Sequence, residues 1–278
     1  MSTPLFSPQG GRIAFIGGGN MASAIIGGLV HQGLPANTIE VVEPFEPQRD
    51  KLRRQWDVGV TSAPGPQLQG CDLVVWAVKP QTFKAAAQST APHVPGALHL
   101  SVAAGIRSDS MAQWLGTERI VRAMPNTPAL VGRGMTGLYA RPAVAEADRQ
   151  RVAGVVSTTG EHLWLSRETD LDTVTALSGS GPAYVFYFIE AMRDAGVEMG
   201  LAPDAAARLA IGTFVGASHL AWDATDPPEV LRERVTSKGG TTYAALVHME
   251  QQGIKQHFMA AMGAAQKRAQ ALGDEFGA

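Results

Sequence analysis

One short stretch limits what this chain can fold into more than any other: an apolar run that breaks directly into glycines. Residues 12–17 read Arg-Ile-Ala-Phe-Ile-Gly, an apolar run of strand length. Gly17-Gly18-Gly19-Asn20-Met21-Ala22 follows, with Gly17, Gly19 and Ala22 in the pattern GxGxxA. The first glycine permits a tight turn and the second lets backbone approach a pyrophosphate. The small third residue lets helix and strand pack closely. The helix beginning there offers unpaired N–H groups to an anion. Taken alone, the motif also fits a tight strand-to-helix turn that binds nothing.

The surrounding pattern favours a dinucleotide site. A helix is expected over residues 20–32, a strand over 38–43, a charged helix over 48–56, and strands over 72–78, 97–102 and 119–124. Apolar strands separated by helices imply a parallel sheet covered on both faces. Residues 1–165 therefore read as a dinucleotide-binding Rossmann-type domain, an α/β doubly wound sheet. Beyond residue 165 the chain becomes helical and Ala-rich. Helices are expected over 182–199, 203–222, 240–252 and 254–273, with a shorter one over 170–177. Those at 182–199 and 203–222 are apolar over more than one face, which calls for cover from a second subunit. Residues 166–278 thus read as an all-helical domain that dimerises.

Composition removes several function classes. Twenty-three Lys and Arg against twenty-five Asp and Glu give a formal charge of −2, so the chain is no generic polycation for nucleic acid. Cys71 is the single cysteine, which excludes an internal disulfide and a cysteine-rich zinc site. The seven histidines show no HxxxH or HxH spacing, so no metal is expected. No run of 18 apolar residues suggests a membrane span. The opening MSTPLFSPQGG reads as a short polar leader, and a cytoplasmic location is expected.

Other residues gather where a parallel sheet binds ligands, at the carboxyl ends of its strands. Glu43 ends the second strand, where an acid can hold ribose hydroxyls. Gln48, Arg49, Lys51, Arg53 and Arg54 follow, and an arginine there can meet a 2′-phosphate, so NADPH and NADH both stay open. Ala77-Val78-Lys79-Pro80 ends another strand; Lys79 either faces the ligand or is an exposed strand-end lysine. Ser101-Val102-Ala103-Ala104-Gly105 is small enough for a nicotinamide ring to lie near the backbone. Residues 122–128 bring polar groups to the same crevice. In the second half, Val235-Thr236-Ser237-Lys238-Gly239-Gly240-Thr241-Thr242 precedes an amphipathic helix. Glycines, hydroxyls and helix N–H groups together can cradle a carboxylate. An ordinary Ser/Thr-capped helix start is the alternative. Ser178 and Ser180 read as helix caps or packing residues, and Gly212 with Gly216 as a site of close helix packing.

IGGGNMA (16–22), AVKPQ (77–81), SVAAGI (101–106), RAMPNTPA (122–129), TALSGSGPAY (175–184) and VTSKGGTT (235–242) occur in the order seen in the pyrroline-5-carboxylate reductase family, which the chain resembles over residues 12 to about 270. One departure is Lys238, where the family usually has proline. The resemblance implies a homo-oligomer, dimeric through the helical domain, with dimers assembling into decamers in many members. It implies hydride transfer from NADPH or NADH to the C5=N bond of 1-pyrroline-5-carboxylate, giving L-proline. By the same resemblance Ile16, Gly17, Gly18, Gly19, Asn20, Met21, Ala77, Val78, Lys79, Pro80, Val102, Ala103, Ala104 and Gly105 hold the cofactor. Thr236, Ser237, Gly239, Gly240, Thr241 and Thr242 hold the substrate, and Thr242 stands near its ring nitrogen.

Two rival readings are weaker. A β-hydroxyacid-type dehydrogenase needs a catalytic lysine on a helix of the second domain. Lys238, Lys255 and Lys267 are the only lysines past residue 170, and none follows the Gly212–Gly216 helix at a suitable spacing. A non-catalytic dinucleotide-binding regulator does not need the intact loop at 235–242.

Overall fold

A computed structural model describes residues 11–277, so residues 1–10 of the expected leader lie outside the described residues. Two compact units emerge. One extends to Gly179 and takes in the chain again from Ala265; the other is Ser180–Ala264.

In the first unit the apolar runs become β1 (Arg12–Ile16), β2 (Ile39–Val42), β3 (Gly59–Thr61), β4 (Cys71–Trp76), β5 (Leu98–Ser101), β6 (Ile120–Met124), β7 (Gly134–Ala140) and β8 (Gly160–Trp164). They form one sheet in the order β3-β2-β1-β4-β5-β6-β7-β8. Only β6 and β7 pair antiparallel. Side chains alternate faces along a strand, so Ile13 and Phe15 enter one apolar cluster while Ala14 and Ile16 enter another. Helices α1 (Asn20–His31) and α5 (Glu146–Ser157) supply the first cluster, and α3 (Pro80–Thr90) and α4 (Ser108–Leu115) supply the second. Both faces are covered, which is why Ile13–Ile16 of β1 and Leu73–Trp76 of β4 read as unbroken apolar runs. Helix α2 (Glu46–Trp56) packs Leu52 into the first cluster.

The sequence signal missed β3, which is three residues long, and β7, which reads Gly-Met-Thr-Gly-Leu-Tyr-Ala without an apolar run. Glycine is needed in β7 because other chain lies against it. A Cβ on Gly134 would come within 2.9 Å of the Thr159 carbonyl oxygen. β8 ends just before the border expected at residue 165 and was not foreseen as a strand.

The border expected at residue 165 is not where the compact units part. Leu171, Asp172 and Ala176 are buried within the first unit, on α6 (Asp170–Val174) and the π-helical turn Thr175–Gly179 that follows it. The second unit holds α7 (Gly181–Glu198), α8 (Pro203–Asp223), α9 (Pro228–Arg234), α10 (Thr241–Gln251) and the start of α11 (Ile254–Phe276). Prolines stand in the first turn of α7, α8 and α9, where the missing N–H costs nothing. The end of α11 returns to the first unit: Gln266 Nε2 donates to Thr173 Oγ1 at 2.7 Å.

Within the second unit, α7 and α8 meet through small residues, a Cβ on Gly196 lying 3.0 Å from that of Ala206. Gly196 is the one buried residue of α7; α8 buries Ala206 and Ala210. Phe186, Tyr187, Leu220 and Trp222 are exposed in the single chain. The close packing expected at Gly212 and Gly216 is not made within the chain, since a Cβ on either would meet nothing within 4 Å. No described helix is long and apolar enough to cross a membrane.

Candidate functional site

The strand order reverses between β1 and β4, one chain run building outward through β2 and β3 and the other through β5 and β6. A crevice opens at such a switch point, beyond the carboxyl ends of the strands. Register aligns those ends: Ile16 pairs with Trp76, and Trp76 with Ser101. The ladder then runs on by one bond each way, from Ala77 N–H to Ile16 O at 2.8 Å and from Val102 N–H to Trp76 O at 3.0 Å. The segments 16–21, 77–80 and 102–105 therefore follow neighbouring strands at the carboxyl end of the sheet. Sequence spacing could not show this.

Gly17 adopts φ +93°, and a Cβ there would lie 2.6 Å from the Ala77 carbonyl oxygen. Only glycine takes both that conformation and that approach without strain. A Cβ on Gly19 would meet nothing within 4 Å, so Gly19 faces open space. Gly19 caps α1 without a side-chain hydrogen bond, and the first turn of α1 carries no acid. The opening N–H groups of α1, around Asn20 and Met21, thus keep their capacity for an anion. This cradle fits the pyrophosphate of a nicotinamide dinucleotide.

Lys79 is exposed and caps α3 with extended backbone, and Pro80 occupies the first helical position. Val78 packs on the second cluster, and Ala103 N–H donates to Ser101 Oγ at 3.3 Å. Gly105 takes φ +73°, and a Cβ there would sit 3.1 Å from that of Leu272.

Arg122, the neighbour of Ser101 across β5 and β6, enters an ionic network that sequence reading missed. Arg122 Nη1 donates to Glu168 Oε1 at 2.7 Å, and Ser108 N–H donates to the same oxygen at 2.6 Å. Ser108 Oγ donates to Glu168 Oε2 at 2.5 Å, and Arg107 pairs with buried Asp172 at 3.0 Å. Burial would raise the Glu168 pKa, but the Arg122 charge and the Ser108 bonds outweigh it and hold the carboxyl below its ordinary value. These partners stand 46 to 65 residues apart, so no local spacing announces them. Asn126 makes a second tie: its Nδ2 donates to Ser178 O at 3.1 Å, and its Oδ1 accepts from Met135 N–H at 2.9 Å. Ser178 Oγ donates to Val174 O at 3.2 Å inside the π turn, and Ser180 caps α7 without a side-chain bond.

In the second unit, residues 236–240 link α9 to α10. Thr236 Oγ1 donates to Arg232 O at 2.6 Å. Gly240 N–H donates to Ser237 O at 3.0 Å, closing a four-residue turn with Gly239 at φ +75° in its third position. A turn with positive φ there accepts proline at its second position, which Lys238 fills. Gly240, not a hydroxyl residue, is the cap of α10, and no side chain bonds to it. An ordinary Ser/Thr-capped start is thus not what forms. Thr241 and Thr242 are exposed at the first positions of α10.

Comparison with known proteins decides the family. A family model described as pyrroline-5-carboxylate reductase dimerisation matches residues 168–272. The pyrroline-5-carboxylate reductase of Pseudomonas aeruginosa is 43% identical over 279 residues, covering 100% of both chains. The chain belongs to the pyrroline-5-carboxylate reductase family. The reductase of Pisum sativum is 35% identical, over 94% of this chain and 95% of its own. Among solved structures, the reductase of Coxiella burnetii superimposes with TM-score 0.89 at 35% identity, over 94% of this chain and 98% of the other. That of Plasmodium falciparum, determined with NADP bound, gives TM-score 0.85 at 28% identity, over 96% and 100%. A second family model, NADP oxidoreductase coenzyme F420-dependent, matches residues 12–105, the stretch that carries the glycine loop. The dimerisation model covers α7 and α8, the helices with exposed apolar side chains.

Proposed function

We propose that this chain reduces 1-pyrroline-5-carboxylate to L-proline, the last step of proline biosynthesis. The end-to-end match to the Pseudomonas aeruginosa reductase carries this reading. When bound, NADPH or NADH supplies the hydride that adds to the C5=N bond. In this reading residues 1–165 form the cofactor domain and residues 166–278 the substrate-binding and dimerisation domain. Residues 16–21, 77–80 and 102–105 hold the dinucleotide. Thr236, Ser237, Gly239, Gly240 and Thr241 hold the substrate carboxylate at the open start of α10, where the helix dipole contributes about 0.3–1 kcal/mol. Thr242 offers its hydroxyl near the ring nitrogen.

The chemistry asks little of the side chains. A protonated cyclic imine accepts hydride readily, so positioning dominates. Holding the reacting carbons roughly 3–3.5 Å apart can supply about 7–11 kcal/mol of the barrier. Neither a metal nor a charged triad is needed for that. The working form is a homodimer built through the helical domain, with decamers as its further assembly, in the cytoplasm.

Loss of NAD(P)H absorbance on adding pyrroline-5-carboxylate tests the reading. Turnover is expected with this substrate and not with β-hydroxyacids and oxidised cofactor. The reverse result overturns it in favour of a hydroxyacid dehydrogenase.

A further inference from the structure

The residues at the end of β2 differ in charge and reach, and their placement bears on which dinucleotide the site selects. Glu43 follows Val42 directly at the carboxyl end of β2, and its side chain lies against the glycine loop. Its Oε2 accepts from Gly18 N–H at 2.8 Å and its Oε1 from Phe45 N–H at 2.8 Å. Gly18 makes room for this: a Cβ there would stand 3.3 Å from Glu43 Cβ and 2.6 Å from Leu52 Cδ1. Gln48 fixes the other side of the loop, its Nε2 donating to Gly18 O at 2.5 Å. The carboxylate is thus part of the wall that meets the adenosine half of a dinucleotide.

Arg49 and Arg53 are turned to other work. Arg49 Nη1 donates to the carbonyls of Glu43 at 3.0 Å and Pro44 at 2.6 Å. Arg53 donates to Asp50 at 3.0 Å and to the Val60 carbonyl at 2.9 Å. Meeting a 2′-phosphate would require Arg49 to give up both carbonyls, with a fixed carboxylate beside it.

We infer that Glu43 makes this chain select NADH over NADPH. The inference rests on the reductase reading and concerns its cofactor. An ionised carboxylate has about four lone-pair sites. The two main-chain N–H groups occupy two, and the others accept from the ribose 2′- and 3′-hydroxyls. The same anion repels a 2′-phosphate, so Glu43 attracts one cofactor and rejects the other.

Binding to the full chain, without substrate, tests this. Titration with NADH and with NADPH is followed by calorimetry for the parent, Glu43→Gln and Glu43→Ser. The parent should bind NADH about tenfold or more tightly than NADPH. Glu43→Ser should move that ratio at least about tenfold toward NADPH. Glu43→Gln, which keeps the shape and loses the charge, should move it the same way by less. A parent that binds NADPH as tightly as NADH overturns the inference whatever the variants do. So does a ratio that neither folded variant moves. Reduction of pyrroline-5-carboxylate by a chain that favours NADPH sinks this inference and leaves the reductase reading intact. A chain that binds neither cofactor sinks both.

Discussion

Gly17 and Ala77 stand so close that a Cβ on the first would lie 2.6 Å from the carbonyl oxygen of the second. The contact joins the ends of β1 and β4, where the sheet changes direction. Because the obstacle is backbone, no side chain can rotate to relieve it. Gly17 also holds φ +93°, which costs an L-residue about 1–2 kcal/mol. Gly17→Ala should therefore lose at least that much stability and weaken NAD(P)H binding by about tenfold or more. Urea unfolding and cofactor titration check the two effects. Unchanged affinity would separate the loop from the cofactor.

Thr242→Val tests the substrate loop with little risk to the fold, because Thr242 is exposed at the start of α10. A hydrogen bond to a charged group is worth about 1.5–3 kcal/mol. The substitution should lower kcat/KM by roughly 10- to 150-fold with little change in Tm. Full activity would remove Thr242 from the site.

Phe186 on α7 is 65% exposed and Trp222 on α8 is 69% exposed. Two large apolar side chains left in water call for a partner surface. Phe186→Glu combined with Trp222→Glu should shift the full chain toward monomer in light scattering at micromolar concentration. An unchanged mass would place the dimer contact elsewhere.

His99 is buried in β5 and accepts a hydrogen bond at Nδ1 from Trp76 Nε1 at 3.1 Å. Burial, aided by the Arg119 charge, pushes its pKa down to about 4. An unfolded histidine titrates near about 6.5. Below that pH the unfolded chain takes up a proton that the folded chain refuses, so stability falls as pH drops. The loss saturates below about 4, at up to about 3 kcal/mol. Urea unfolding between these limits should show a weaker pH dependence for His99→Gln, which keeps an acceptor for Trp76. Equal slopes in the two proteins would refute the assignment.

The sequence by itself determined the local elements and the glycine loop. The strand at 12–16 and the run Gly17–Ala22 encode a turn and a helix start within a few residues, so their signal is local. The helices expected over 182–199 and 203–222 were legible for the same reason. Apolar residues on several faces of α7 and α8 likewise announced surface that the single chain leaves uncovered.

Tertiary structure decided the rest. Strand order and register, which make Gly17 and Ala77 neighbours, come from pairing between residues 60 apart, and no local pattern records that. The Arg122–Glu168–Ser108 network joins three separate segments, and its two charged residues look like solvated charges in the sequence. Residues 166–179 join the first compact unit because Leu171 and Asp172 are buried there, although their composition resembles the helical half. Glu43 and Arg49 are six residues apart, and their types left either cofactor open. Only the folded loop shows the carboxylate fixed on Gly18 and the guanidinium turned to main-chain carbonyls. Residue type sets charge and reach, whereas long-range packing sets which groups are already engaged.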